Sequence, residues 1–401
     1  MVTNSFGSGA LTYLPCLFCS NANRRALGKI CALHTAPING LSVVPVCDDM
    51  AKTTILKTSL DMLYYSGASQ VLRPIFGGLG AIFTLHHIRP GGGRQQGFAP
   101  NSGLEVTPEF LDAVITFVKQ RGYDLVSMAE AVQRVRENNP EKKPFVTFTL
   151  DDAYRDNLVH ARPVFRKHQC PFTIFASPAI QDGTCELWWR GLEAVIAGNT
   201  KVNADIGSLK FRLDTVRDVQ KQSAWEQLYW PVRQLEQQQQ RIWIKAFCEI
   251  NRVDLGAICR AEAMTWDELR EISKEPLCTV GAHTVNHYAV AQLNETDARF
   301  ELVESRRRIA KEIGLTPRFF AYPYGDALSA SSRDFRLAMD AGYEAAVTTR
   351  KGLIFSGHRD HLTALPRLSL AGGFQKLRYV DVLLSGSAFA LWNGFRQLNV
   401  A

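Results

Sequence analysis

Short apolar runs alternate with helix-like stretches from about residue 79 to residue 370. Gly80–Leu85 is an apolar run that ends in His86-His87. Tyr123–Ser127, Pro144–Leu150, Phe172–Ala176, Cys278–Ala282, Phe319–Tyr322, Tyr343–Thr348 and Leu365–Leu370 read as further strands. Between them the helical signals are local and specific. Thr107-Pro108 offers a hydroxyl cap with a proline in the first turn, and Thr265 and Glu268 have capping-box spacing. Other helices are expected up to about Asn138, over Asp156–Lys167, over Thr296–Ile313 and near Asp334–Ala341. A strand-helix rhythm of this kind predicts an α/β fold of parallel strands joined by helical crossovers.

Three segments depart from the rhythm. Residues 190–262, which contain Gln237–Gln240, are polar and helix-favouring and read as a helical insertion. Residues 1–49 are rich in Ser, Asn, Gly and Cys without periodicity and read as an irregular tail, with Met50 as an alternative start and a helical lead-in over residues 50–78. Within the tail, Cys16-x-x-Cys19 and Cys31-x-x-His34 imitate a zinc knuckle, although tail composition explains them without one. Residues 371–401 form a C-terminal helical tail whose part from Tyr379 to Trp392 is apolar enough to pack on the body, or alternatively to touch a membrane surface.

Composition narrows the class. With 401 residues, 46% hydrophobic and 21% charged, the chain suits an ordinary globular protein with one large domain. The net charge of +7 is scattered and gives no footprint for nucleic acid. Of the nine cysteines, Cys16, Cys19, Cys31 and Cys47 fall in the first fifty residues, and the other five, widely spaced, are expected to be reduced and mostly buried. No apolar run reaches membrane-spanning length and no signal-peptide pattern opens the chain, so a cytoplasmic location is the default expectation.

Three motifs follow directly on strands, where functional groups of parallel α/β folds collect. Asp151-Asp152 places two carboxylates side by side, which repel unless a cation or proton compensates; a solvated turn or a helix cap is the plainer alternative. His283-x-x-x-His287 supplies two imidazoles, and two His with one carboxylate leave a metal open to water and substrate. Thr284 stands where helical zinc proteases carry a Glu, so the base must come from elsewhere, and Asp151 can supply it. The third is Phe320-Ala-Tyr-Pro-Tyr-Gly-Asp326, in which Pro323 and Gly325 force a turn that presents backbone N–H groups, as an oxyanion pocket requires.

Taken together and in this order, Thr147-Phe-Thr-Leu-Asp151-Asp152-Ala-Tyr, His283-Thr-Val-Asn-His287 and Phe320-Ala-Tyr-Pro-Tyr-Gly325 resemble the polysaccharide deacetylases, the family that includes the rhizobial chitooligosaccharide deacetylase of nodulation. The resemblance covers residues 79–370 apart from the insertion. It implies a distorted, incomplete parallel (β/α) barrel in which Asp152, His283 and His287 hold a divalent metal, zinc above all, and Asp151 acts as base. In relatives a Gly usually follows the acids, where this chain has Ala153. An Arg two residues before the third-motif proline often orients the base; here Ala321 occupies that place, and Arg318 or another group is the candidate replacement. No late His is found in Leu365–Leu370, so by likeness to relatives with a Tyr-His near the first strand, His86 is the expected acid, with His87 second.

The reading implied is removal of N-acetyl groups from an N-acetylglucosamine-containing oligo- or polysaccharide, with Tyr324 beside the oxyanion and Trp188, Trp189, Arg318 and Tyr322 toward the substrate. The alternatives are a catalytically inactive carbohydrate-binding relative and an amidohydrolase on a small C–N substrate. The expected partner is an N-acetylated glycan.

Overall fold

The computed structural model describes residues 49–93, 97–139 and 141–400; the zinc-knuckle-like cysteines and the tail up to residue 48 lie outside them. Seven parallel strands form the centre: β1 (Gly80–Leu85), β2 (Phe145–Leu150), β3 (Phe172–Ala176), β4 (Cys278–Ala282), β5 (Phe319–Ala321), β6 (Ala345–Lys351) and β7 (Leu365–Ser369). Each pairs with the next in chain order, and β7 returns to β1, so the sheet closes into a barrel. The two-residue strand Asp124–Leu125 flanks the start of β2. This is the distorted, incomplete (β/α) barrel that the alternation predicts, with seven strands where a complete one has eight.

The strands are apolar on both faces because helices cover the outside and side chains fill the inside. Every residue of β1 and β2 is buried, including Phe83 and Phe148, whose rings meet at 5.2 Å. The sequence-level caps hold: Thr107 accepts from the Phe110 N–H, and Thr265 and Glu268 form the reciprocal box. The helix expected over Asp156–Lys167 opens instead as a π-turn, Asn157–Ala161, before continuing as Arg162–His168. All five described cysteines are free thiols, and burial pushes them up, Cys259 to about 11 and Cys248 to about 12.

The segment expected to be wholly helical is not. Between the helices Trp188–Gly198 and Asp218–Arg233 runs an antiparallel hairpin, Lys201–Ile206 with Leu209–Asp214. Its turn is Gly207-Ser208, with Gly207 at φ 59°. The hairpin could have been read from the sequence, since Val202, Ala204 and Ile206 alternate with polar residues and face inward. These residues join Trp188, Leu192, Trp225, Leu228 and Ile244 in a second apolar core beside the barrel. The helices Asp49–Tyr65 and Leu377–Leu384 pack together around Leu60, Tyr379 and Val382.

Candidate metal centre and active site

Strand register decides what meets at the barrel mouth. Leu85 is level with Leu150, and Ala176 is level with Ala282, which in turn is level with Phe320. One step past these carboxyl ends, His86, Asp151-Asp152 and His283 arrive at the same height from β1, β2 and β4. The Asp151 N–H donates to the Leu85 carbonyl and the His283 N–H to the Ala176 carbonyl, so the ladder carries the alignment into the loops.

Asp152, His283 and His287 converge. Their ligand atoms all lie within 4.8 Å of one another, and all three residues are buried. Asp152 Oδ1 is 3.1 Å from His287 Nε2 and 3.6 Å from His283 Nε2. His283 Nδ1 lies 2.7 Å from the Ala321 carbonyl, to which it donates in the neutral tautomer, leaving the Nε2 lone pair turned to the carboxylate. Burial pushes the His283 imidazole down to about 4, so it is neutral at pH 7. Burial also opposes ionisation of Asp152, but its neighbours, His287 first, outweigh it and keep the carboxyl below its usual range. Asp152 Oδ1 has no hydrogen-bond partner among the described residues. A buried carboxylate oxygen facing lone pairs is what a divalent cation would satisfy, and two imidazole nitrogens with one carboxylate suit such an ion.

The loop that carries the two imidazoles is held from outside. Glu301, on the helix Glu295–Ile313, accepts from the N–H groups of Val285 and Asn286 at 2.7 and 2.9 Å. Arg241, on the inserted helix Gln237–Ile250, donates to the carbonyls of Asn286 and His287. Thr284 and His287 adopt φ of 58° and 55°, as do Asp152 (71°), Ala153 (52°) and Tyr324 (62°) nearby. Left-handed backbone at so many non-glycine residues around one cluster is strain that the surroundings must impose.

Asp151 has a different neighbour. Arg367, in β7, grips both its oxygens at 2.8 and 2.7 Å, and both side chains are buried. The guanidinium also donates to the Thr348 carbonyl and to Thr149 Oγ1. Burial would raise the Asp151 carboxyl, but Arg367 outweighs that and holds it below the ordinary value. Arg367 thus holds Asp151, the place for which Arg318 is the candidate from the motif. The apolar run announces β7, but a buried arginine pointing inward from it has no signal in one sequence.

The same cavity is lined by His86, Trp189 and Tyr324. Burial pushes the His86 imidazole down, against the pull of Asp151 and Asp152, and Asn157 ties its carbonyl at 2.8 Å. His87 is turned away, bonded to Asp156 at 2.7 Å and stacked on Tyr154 at 3.7 Å. The rings of Trp189 and Tyr324 flank His287, each about 5 Å from it (5.1 and 5.0 Å). Tyr229, Trp230 and Arg233, from the inserted segment, complete that wall, with the Arg233 guanidinium 3.8 Å over the Tyr324 ring.

Three expected substrate contacts lie elsewhere. Trp188 is fully buried and donates its indole N–H to the Tyr324 hydroxyl at 2.8 Å, so it braces a cavity residue without facing the cavity. Tyr322 is also fully buried, packed on Phe335, with its hydroxyl on the Thr363 carbonyl. Side chains alternate along a strand, and this one points out to the covering helices. Arg318 precedes β5, at the opposite rim of the barrel from the site, where it pairs with Glu344 at the surface.

The family profile described as Polysaccharide deacetylase matches residues 138–346, more than half of the chain, and the chain belongs to the polysaccharide deacetylase family. No curated protein sequence matches. Among solved structures the chain is similar to the Streptococcus pyogenes deacetylase PplD in complex with acetate, at 17% identity and a TM-score of 0.49, over 76% of this chain and 97% of that one. It is also similar to a de-N-acetylase from Aggregatibacter actinomycetemcomitans, at 14% identity and a TM-score of 0.47, over 75% and 98%. A third, IcaB from Ammonifex degensii, gives 15% and 0.46 over 76% and 96%.

Proposed function

We propose that this protein is a metal-dependent N-deacetylase of an N-acetylglucosamine-containing glycan, with Zn2+ held by Asp152, His283 and His287. The observation that carries the reading is the pairing of two adjacent buried carboxylates, one facing two imidazoles and the other clamped by an arginine. When bound, the metal would lower the pKa of a water and polarise the acetamide carbonyl. Asp151, kept ionised by Arg367, takes a proton from the attacking water. The Tyr324 backbone N–H donates to the oxyanion that develops. His86 protonates the departing amine; because burial keeps it neutral at rest, that proton has to reach it during turnover. Trp189 offers a ring face for the sugar. The products are acetate and a free amine.

The convergence of all three ligands favours an enzyme over an inactive binding relative. The test is acetate release by metal-loaded protein from chitin oligomers, peptidoglycan fragments and acetylated exopolysaccharides, beside the Asp151→Asn variant. Release that persists unchanged in Asp151→Asn would remove the assignment of the base, and no release from any glycan would leave the small-amide alternative.

A further inference from the structure

The cavity does not end at the metal-ligand cluster. Its volume of about 720 Å³ extends past Leu370 to helices from both ends of the described chain, Asp49–Tyr65, Leu377–Leu384 and Ser387–Trp392. Its two parts differ in chemistry. One wall carries Asp151, Asp152, His283 and His287, and the other is made largely of Leu56, Leu60, Leu63, Val380, Leu383 and Phe389. None of the residues that these three helices bring to the wall is charged. The polar ones are engaged nearby: the Ser59 hydroxyl donates to the Ile55 carbonyl at 2.9 Å, and the Tyr379 hydroxyl lies on Asp61.

Lys351, from β6, lies 4.2 Å from the Trp392 ring centroid at the edge of this wall, and a sugar ring placed against the helices themselves would give up hydrogen bonds to water and meet few partners, an unfavourable transfer. A hydrocarbon chain would gain, since each buried methylene is worth roughly a factor of four in affinity. We propose that the substrate bears a covalently attached hydrocarbon chain that lies in this apolar part while its amide reaches the metal-ligand cluster. This inference rests on the deacetylase reading for the amide end only. The chain is either the acyl group of the amide itself or a group carried elsewhere on the amino sugar, and the chemistry of the wall is the same for both.

The experiment has two substrate arms on the full, metal-loaded chain. In one, N-acetylglucosaminides with methyl, butyl, octyl and decyl aglycones are compared; in the other, glucosamines N-acylated with two to ten carbons. The expected result is that kcat/KM climbs by about two- to fourfold per methylene in one arm, then levels off when the apolar part is full. The arm that climbs identifies where the chain is attached. Leu383→Trp, which fills the space, should lower the octyl-to-methyl ratio at least tenfold, and Ala388→Trp, on a different helix, serves if the first variant does not fold. A flat or falling profile in both arms, with the ratio untouched by either variant, overturns the proposal. Binding of octyl and decyl β-glucosides, which have no amide, is followed in parallel by tryptophan fluorescence. If no amide is hydrolysed but these glucosides bind more tightly with chain length, and Leu383→Trp abolishes it, the deacetylase reading fails and the chamber stands. If short N-acetyl substrates turn over while neither arm climbs with chain length and the glucosides do not bind, the chamber fails alone.

Discussion

The two sides of the barrel mouth treat neighbouring carboxylates in opposite ways. On the β7 side, Asp151 has both oxygens satisfied by the fork of Arg367, itself anchored on Thr348 and Thr149. On the β4 side, Asp152 faces two imidazoles and keeps an oxygen without a hydrogen bond among the described residues. A protein that satisfies one buried charge fully and leaves its neighbour short has separated two tasks: the first group is oriented, and the second is held ready for a ligand. Adjacent acids with equal surroundings would instead share a proton.

The largest effect should come from breaking the unsatisfied side. His283→Ala or Asp152→Ala is expected to weaken divalent-metal retention by at least ~100-fold and reduce acetate release to background, as measured by bound-metal analysis and turnover on the same preparation. Metal retained at full stoichiometry would sink the ligand assignment. On the satisfied side, Arg367→Ala leaves Asp151 buried and unpaired. Stability should fall by about 3–5 kcal/mol in denaturant unfolding, and kcat/KM by roughly 10²- to 10⁴-fold, with metal still bound. Arg318→Ala, at the other rim, should cost less than about 1 kcal/mol and leave kcat unchanged, because its pair with Glu344 is solvated.

Asp156 sharpens the comparison from behind the site. It accepts from the Ile88 N–H and from Arg89, and it holds His87 away from the cavity. Burial opposes its ionisation, but His87 outweighs this and keeps the folded carboxyl below its ordinary value of 3.8. A depressed folded pKa means that its contribution is complete above about pH 4 and disappears as pH falls through the lower folded value. Asp156→Asn should therefore lower stability by about 1–3 kcal/mol at pH 7 and flatten the acid limb of the unfolding curve; an unchanged limb contradicts the role given to this carboxylate. An effect as small as that at Arg318, but of opposite sign, is expected at Ala153, where φ is 52°. Ala153→Gly should raise stability by up to about 1 kcal/mol, read as a small increase in melting temperature, with the ligand set intact.

Much of this was legible in the chain. The seven barrel strands follow from apolar runs, Thr107 and Thr265 announce their helices, and the four residues at the heart of the site stand out because they end strands. The misreadings have physical causes. The hairpin at Gly207 was hidden inside a helix-favouring composition although its period of two was present. Trp188 and Tyr322 carry the right chemistry on the wrong face, and a face depends on exact strand and helix phase. Arg318 is close to the third motif along the chain, but its position before β5 sends it to the far rim.

By itself, the sequence determined the class of fold and singled out the candidates for the metal ligands and for the base, because hydrophobic period and residues at strand ends are local properties. Only the tertiary structure decided that Arg367 holds Asp151, that His86 rather than His87 faces the cavity, and that helices from both ends of the described chain extend that cavity with an apolar wall. The reason is range: these relations join residues far apart along the chain, and closure of the barrel, with the register it imposes, is what brings them into contact.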